Sequence, residues 1–125
     1  MPTKKTIFIV EDDTALRLAL VKQMEKFYTI EQSGDGKEAL DWLGKHVPDL
    51  ILLDIKLPHV DGITILKVVR KNKATKHTPV IIISNIDDQA LVAQGLILGA
   101  KDYLAKSSYS LEDITEMVRL RMNHS

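Results

Sequence analysis

Five short apolar runs punctuate the chain, and each gives way to a stretch whose nonpolar residues fall at helical spacing. Thr6-Ile7-Phe8-Ile9-Val10 is compact and β-branched, the pattern of a strand buried on both faces. After Glu11-Asp12-Asp13, the residues Leu16, Ala19, Leu20 and Met24 predict a helix with Asp13 or Thr14 as its N-cap. Tyr28 to Glu31 predicts a weaker second strand. Gly34-Asp35-Gly36 is turn chemistry, followed by a short helix lined by Ala39, Leu40 and Leu43.

Pro48-Asp49 restarts the chain into Leu50-Ile51-Leu52-Leu53, a third strand ending at Asp54. The loop Leu57-Pro58-His59-Val60-Asp61-Gly62 leads into a helix carrying Ile63, Leu66 and Val69. Pro79 opens Val80-Ile81-Ile82-Ile83, a fourth strand ending at Ser84. A helix carrying Leu91, Leu96 and Leu98 stops near Gly99. Asp102-Tyr103-Leu104-Ala105 predicts a fifth strand ending at Lys106. Ser110-Leu111-Glu112-Asp113 has the form of a capping box with Asp in the Glu position, and Ile114 and Val118 continue the buried stripe. The alternation predicts one α/β domain over residues 1–125, a doubly wound parallel sheet of five strands with five helices on its two faces.

Composition narrows the function classes. Lys plus Arg and Asp plus Glu are both 17, and a net charge of zero argues against direct binding to nucleic acid or an anionic membrane. No apolar run approaches the ~20 residues of a membrane helix. The N-terminal residues lack the long apolar stretch of a signal peptide, so a cytoplasmic setting is expected. With no cysteine, disulfides, thiolate metal sites and a Cys nucleophile are excluded.

The polar residues carry the chemistry by where they fall. The first strand ends in Glu11-Asp12-Asp13, the third in Asp54, the fourth in Ser84 and the fifth in Lys106. In an open α/β sheet, ligands bind beyond the carboxyl ends of the strands, where strand order reverses. Two carboxylates held ~4 Å apart at an effective dielectric of ~20 repel by about 4 kcal/mol, so such a cluster calls for protons, a cation or water. With only oxygen donors, Mg2+ is the natural occupant. A metal beside a carboxylate makes Asp54 a credible nucleophile toward a phosphoryl group. Lys106 then offers a point charge and Ser84 a hydroxyl donor for phosphate oxygens.

Val10-Glu11-Asp12, Asp54-Ile55-Lys56-Leu57-Pro58 with Asp61-Gly62, Ser84, and Tyr103-Leu104-Ala105-Lys106 together resemble the receiver domain of two-component response regulators, from about Lys5 to Met122. The resemblance implies a flavodoxin-like strand order 2-1-3-4-5. It implies that Asp54 is the phosphoacceptor, served by a histidine kinase or a histidine phosphotransfer protein. Mg2+ would be held directly by Asp12 and Asp54, by Glu11 mainly through water, and by the backbone carbonyl of Lys56. Ser84 and Lys106 would bind phosphoryl oxygens, with Ser84 moving toward the phosphate and Tyr103 rotating inward. The face formed by the fourth helix, fifth strand and fifth helix would then receive a downstream protein or a second copy. The resemblance implies a signalling domain, not an enzyme.

Three positions depart from the family pattern: Ser107 stands where proline and a cis bond are usual, Lys56 adds a cation two residues past Asp54, and Asn85 replaces a small residue. They leave the lifetime of the phosphorylated state and the isomer of the Lys106–Ser107 bond open. Two rivals share the acidic cluster. A phosphatase with an aspartyl nucleophile wants a second carboxylate where Lys56 stands. A receiver-like module that works unphosphorylated usually lacks the acceptor, the acidic pair or the lysine, and all are present here. A flavin-binding protein of the same fold would want glycine and hydroxyl donors after the first strand. Asp13 and Asp61 read as helix-start residues, and Arg17 as a surface ion-pair partner. His46, His59, His77 and His124 read as surface residues, and Lys101, Asp102 and Arg119 as a possible charged dimer face.

Overall fold

Residues 4–85 and 89–123 are described here in a computed structural model. Strands and helices alternate as β1 (Thr6–Val10), α1 (Thr14–Met24), β2 (Thr29–Ser33), α2 (Gly36–Leu43), β3 (Leu50–Asp54), α3 (Gly62–Lys71), β4 (Val80–Ser84), α4 (Gln89–Ile97), β5 (Asp102–Ala105) and α5 (Leu111–Asn123). The five strands form one parallel sheet in the order β2-β1-β3-β4-β5. Every residue of β3 and β4 is buried, because helices cover both faces of the sheet.

Successive strand residues point to opposite faces and feed two cores. Phe8, Val10, Ile51, Leu53, Val80 and Ile82 pack on the side of α2, α3 and α4, together with Ala39, Leu66, Val69 and Val92. Ile7, Ile9, Leu50, Leu52, Ile81, Ile83 and Leu104 pack on the other side against Leu20 and Met24 of α1 and Ile114 and Val118 of α5. Fully burying one such aliphatic side chain contributes about 1.5–3 kcal/mol, so the two cores anchor the strand ends that carry the polar groups.

The helix starts are set by acidic and hydroxyl caps. Asp13 Oδ1 accepts from Leu16 N at 3.2 Å, Asp35 Oδ1 from Lys37 N at 2.7 Å, and Asp61 Oδ1 from Thr64 N at 2.8 Å. Ser110 and Asp113 exchange bonds of 3.0 and 3.1 Å, completing the expected capping box. Gly62 begins α3 against the end of β3, where an added Cβ would stand 2.3 Å from the Asp54 carbonyl oxygen.

One element reading changes. β2 starts at Thr29 and runs on to Ser33, because its register follows β1 from Thr6↔Thr29 to Val10↔Ser33. This edge strand is mostly exposed, and its polar Gln32 and Ser33 give no apolar signal. The amide of Tyr28 instead bonds back to Met24 of α1. In α4 the buried residues are Val92 and Gly95, while Leu96 is 48% exposed. Leu91 and Leu98 are partly buried against the core, and Gly95 marks a close approach to the sheet, since a Cβ there would meet Ile82 Cδ1 at 2.2 Å. Gly99, at φ +85°, stops the helix as expected.

Arg70 of α3 fastens that end of α4. Its guanidinium donates to the carbonyls of Leu98 at 2.8 Å and Gly99 at 3.1 Å, and to those of Thr78 at 2.8 Å and Lys76 at 3.3 Å. The Lys106–Ser107 bond is trans.

Candidate functional site

The β1–β2 ladder extends one residue past β1, through a bond from Glu11 N to Ser33 O of 3.0 Å. That rung leaves the Glu11 side chain fully buried and Asp12 exposed at the rim. β3, the neighbour of β1, ends in Asp54, only 2% exposed. Carboxylate oxygens of Glu11, Asp12 and Asp54 lie within 4.8 Å of one another. The reversal of strand order between β1 and β3 therefore brings together the acidic residues named from the sequence.

Lys106 enters from the end of β5, where its amide donates to the Ser84 carbonyl at 2.8 Å and prolongs the β4–β5 ladder. Its ammonium lies 2.9 Å from Glu11 Oε1 and donates to Asp54 Oδ2 at 3.0 Å. Glu11 Oε2 accepts from Asp13 N at 2.9 Å and from Lys106 Nζ at 3.2 Å. Glu11 Oε1 is buried 2.9 Å from the Lys106 ammonium and makes no well-formed hydrogen bond. A buried Glu11 carboxylate with an oxygen within 4.8 Å of those of two further carboxylates suits a hard cation, and the all-oxygen donor set fits Mg2+.

The electrostatics follow from this crowding. Burial first, and then the charge of Glu11, push the Asp54 carboxyl up to about 8, against the opposing pull of Lys106. For Lys106, burial favours the neutral amine, but the hydrogen bonds and charges of Glu11 and Asp54 outweigh it and raise the ammonium's pKa. With one ammonium among three carboxylates, the metal-free cluster holds an excess of negative charge that a proton on Asp54 relieves.

The remaining expected residues surround this cluster. Ser84 is fully buried at the end of β4, its hydroxyl donating to the Asn85 carbonyl at 2.9 Å. Tyr103 pairs with Ile82 across β4–β5 and lies half-buried against the core on the α3 and α4 side. Lys56 is exposed in the turn after Asp54 and Ile55. Asp13 and Asp61 are helix caps, as read from the sequence.

One reading is corrected. Arg17, expected as a surface ion-pair partner, donates Nη1–H to the Glu11 carbonyl at 2.7 Å and Nε–H to Gln32 Oε1 at 3.0 Å. Only helical spacing marks it in the sequence, and that spacing says nothing of a backbone acceptor on another element. Asp102 forms a two-bond pair with Arg121, at 2.5 and 2.7 Å, and Arg119 pairs with Glu116 in the same helix. A dimer face built on Asp102 and Arg119 would compete with both pairs. His46, His59 and His77 are exposed, as read from the sequence; His46 also stacks on Trp42 and His59 pairs with Asp35, while His124 lies outside the described residues.

The family model for the response regulator receiver domain matches residues 7–119. The chain belongs to this family. As a receiver domain of two-component signalling, it is 34% identical to the response regulator PleD of Caulobacter vibrioides over 116 residues, 92% of this chain and 25% of PleD. Among solved structures, the receiver domain of the Francisella response regulator 1452 matches with a TM-score of 0.84 at 30% identity, covering 96% of this chain and 98% of that one. A CheY-like receiver domain from Methanospirillum hungatei matches with a TM-score of 0.89 at 25% identity, covering 98% and 96%. The sheet order agrees with this flavodoxin-like receiver fold. The chain spans between a quarter and half of the length of curated relatives it matches. Among the described residues, no helix is long and apolar enough to cross a membrane.

Proposed function

We propose that Asp54 accepts a phosphoryl group from a phosphohistidine of a histidine kinase or histidine phosphotransfer protein, in a site that uses Mg2+. The observation that carries this reading is the meeting of Glu11, Asp12 and Asp54 at one point, with Lys106 reaching across to two of them. In this reading Asp12, Asp54 and the Lys56 backbone carbonyl would hold the metal directly, and Glu11 mainly through water. When bound, Mg2+ spreads the negative charge of the carboxylates and of the phosphoryl oxygens.

The chain's own residues account for the rest of the step. An ionised Asp54 oxygen attacks phosphorus; a P–O bond forms as the P–N bond breaks, and the electron pair leaves with the imidazole. The imidazole departs neutral when its other nitrogen carries a proton. Lys106 exchanges its contact with Asp54 for one with a phosphoryl oxygen. Ser84, which now donates to the Asn85 carbonyl, turns its hydroxyl toward the new group. Tyr103 follows inward, and the face of α4, β5 and α5 rearranges for a downstream protein or a second copy. Exposed Leu96 and Ile97 on α4 support a docking role for that face, Ile97 being 85% exposed. In the same reading, residues 1–125 form one receiver domain that acts in the cytoplasm as a signalling domain, not an enzyme, without direct contact to nucleic acid or membrane.

Incubation with Mg2+ and acetyl phosphate tests this by intact mass. One added phosphoryl group is expected on the parent chain and none on Asp54→Asn. No adduct on the parent would favour a partner-binding module that works unphosphorylated, and steady hydrolysis of added phosphate esters would favour the phosphatase.

A further inference from the structure

Glu11 is where the β1–β2 ladder ends, and the way it ends points to a residue outside the acidic cluster. Its amide makes the last rung, to Ser33 O. In a parallel ladder its carbonyl would next accept from the amide of Asp35. That amide is turned away and donates to Ser33 Oγ at 3.2 Å instead. Arg17 takes the missing place, with Nη1–H donating to the Glu11 carbonyl at 2.7 Å while Nε–H is steadied by Gln32 at 3.0 Å.

The guanidinium lies directly over Gly34, where an added Cβ would stand 2.6 Å from Nη1. Glycine at this position lets the guanidinium sit there undisplaced. Arg17 is partly buried, and its stem runs from the first turns of α1 back over the end of β1.

The orientation of the Glu11 carbonyl fixes the peptide plane between Glu11 and Asp12. From that plane one side chain turns inward, to Lys106, and the other stays at the rim. We propose that Arg17 is a positioning residue for the acidic pair, holding the Glu11–Asp12 peptide in the orientation that aims both carboxylates at the Asp54 site. This inference rests on the reading of that site as a Mg2+ and phosphoryl centre. A lysine would supply one donor to the carbonyl but could not reach Gln32 with a second.

The test uses Arg17→Met, Arg17→Lys, Gly34→Ala and the double variant Arg17→Met/Gly34→Ala, with MgCl2 titrated calorimetrically into each. Loss of a group that orients a metal ligand typically lowers metal affinity about 10–100-fold, and Arg17→Met should fall in that range. Arg17→Lys should recover part of the loss. Gly34→Ala, which displaces only the tip of a flexible side chain, should weaken Mg2+ binding in the same sense. The double variant should be no weaker than Arg17→Met alone. In metal-free protein, amide exchange at Asp12 and Asp13 should speed up in Arg17→Met while exchange in β3 and β4 stays unchanged. Unchanged exchange at Asp12 and Asp13, or losses that add in the double variant, would overturn the proposal. If the parent chain takes up no Mg2+, the metal reading falls, and the exchange measurement alone decides the role of Arg17.

Discussion

Lys106 Nζ donates to Asp54 Oδ2 at 3.0 Å, joining the ends of two strands that lie 52 residues apart in sequence. The same ammonium touches Glu11, so one cation serves two buried carboxyl groups. Removing it leaves the Glu11 charge buried without its partner and Asp54 without its donor. Breaking a buried pair from one side costs about 3–5 kcal/mol. Metal-free Lys106→Met should therefore lose stability on this scale in urea denaturation, and saturating Mg2+ should restore much of it. Its rate of phosphorylation by acetyl phosphate should also fall well below that of the parent.

Asp54 gives the metal-free protein an inverted pH dependence. Its carboxyl is held up at about 8, against 3.8 for an ordinary Asp, so the folded state keeps a proton that the unfolded chain releases. The stabilisation from that proton is complete below about pH 4 and is lost as pH rises through about 8. Urea midpoints of metal-free parent should accordingly decline from about pH 5 to about pH 8, and Asp54→Asn should remove most of the decline.

Mg2+ binding competes with the same proton. Below the raised value for Asp54, uptake of the ion should release about one proton, because the ligand must be deprotonated. Calorimetry in two buffers of different ionisation enthalpy measures this directly. Equal heats in both buffers near neutral pH would contradict it.

Gly62 leaves no space for a methyl group. A Cβ there would lie 2.3 Å from the Asp54 carbonyl oxygen and 2.7 Å from Ile55 Cα, both backbone atoms that cannot swing aside. Gly62→Ala should destabilise the fold by at least the ~1–3 kcal/mol of an overpacked core. It should also weaken Mg2+ binding, since the strain falls on the acceptor's own peptide.

Much of this site was legible in the sequence because strands buried on both faces are unmistakable as apolar runs. β3 and β4 end where the runs end, so Asp54 and Ser84 fall at strand termini without further argument. Glu11 and Lys106 follow by the same logic. β2 was less legible, because an edge strand with one half-exposed isoleucine carries little pattern. The buried side of α4 was less legible for the opposite reason, an excess of apolar residues: Leu91 and Leu98 pack against the core, Leu96 is exposed, and Gly95 lies against Ile82. Arg17 was misread because its acceptor is a main-chain carbonyl on another element, which no side-chain pattern encodes.

The four carbonyls gathered by Arg70 bear on how a signal would leave the site. They fasten the C-terminal end of α4 to α3 and to the approach to β4, far along the helix from its first residue, Gln89. A rod pinned at one end moves as a lever. At 1.5 Å per residue, the nine residues of α4 make an arm of about 13 Å, so a tilt of roughly 10° about its Arg70 end would displace the Gln89 end by about 2 Å. Arg70 sets the fulcrum, and the length of the helix sets the gain.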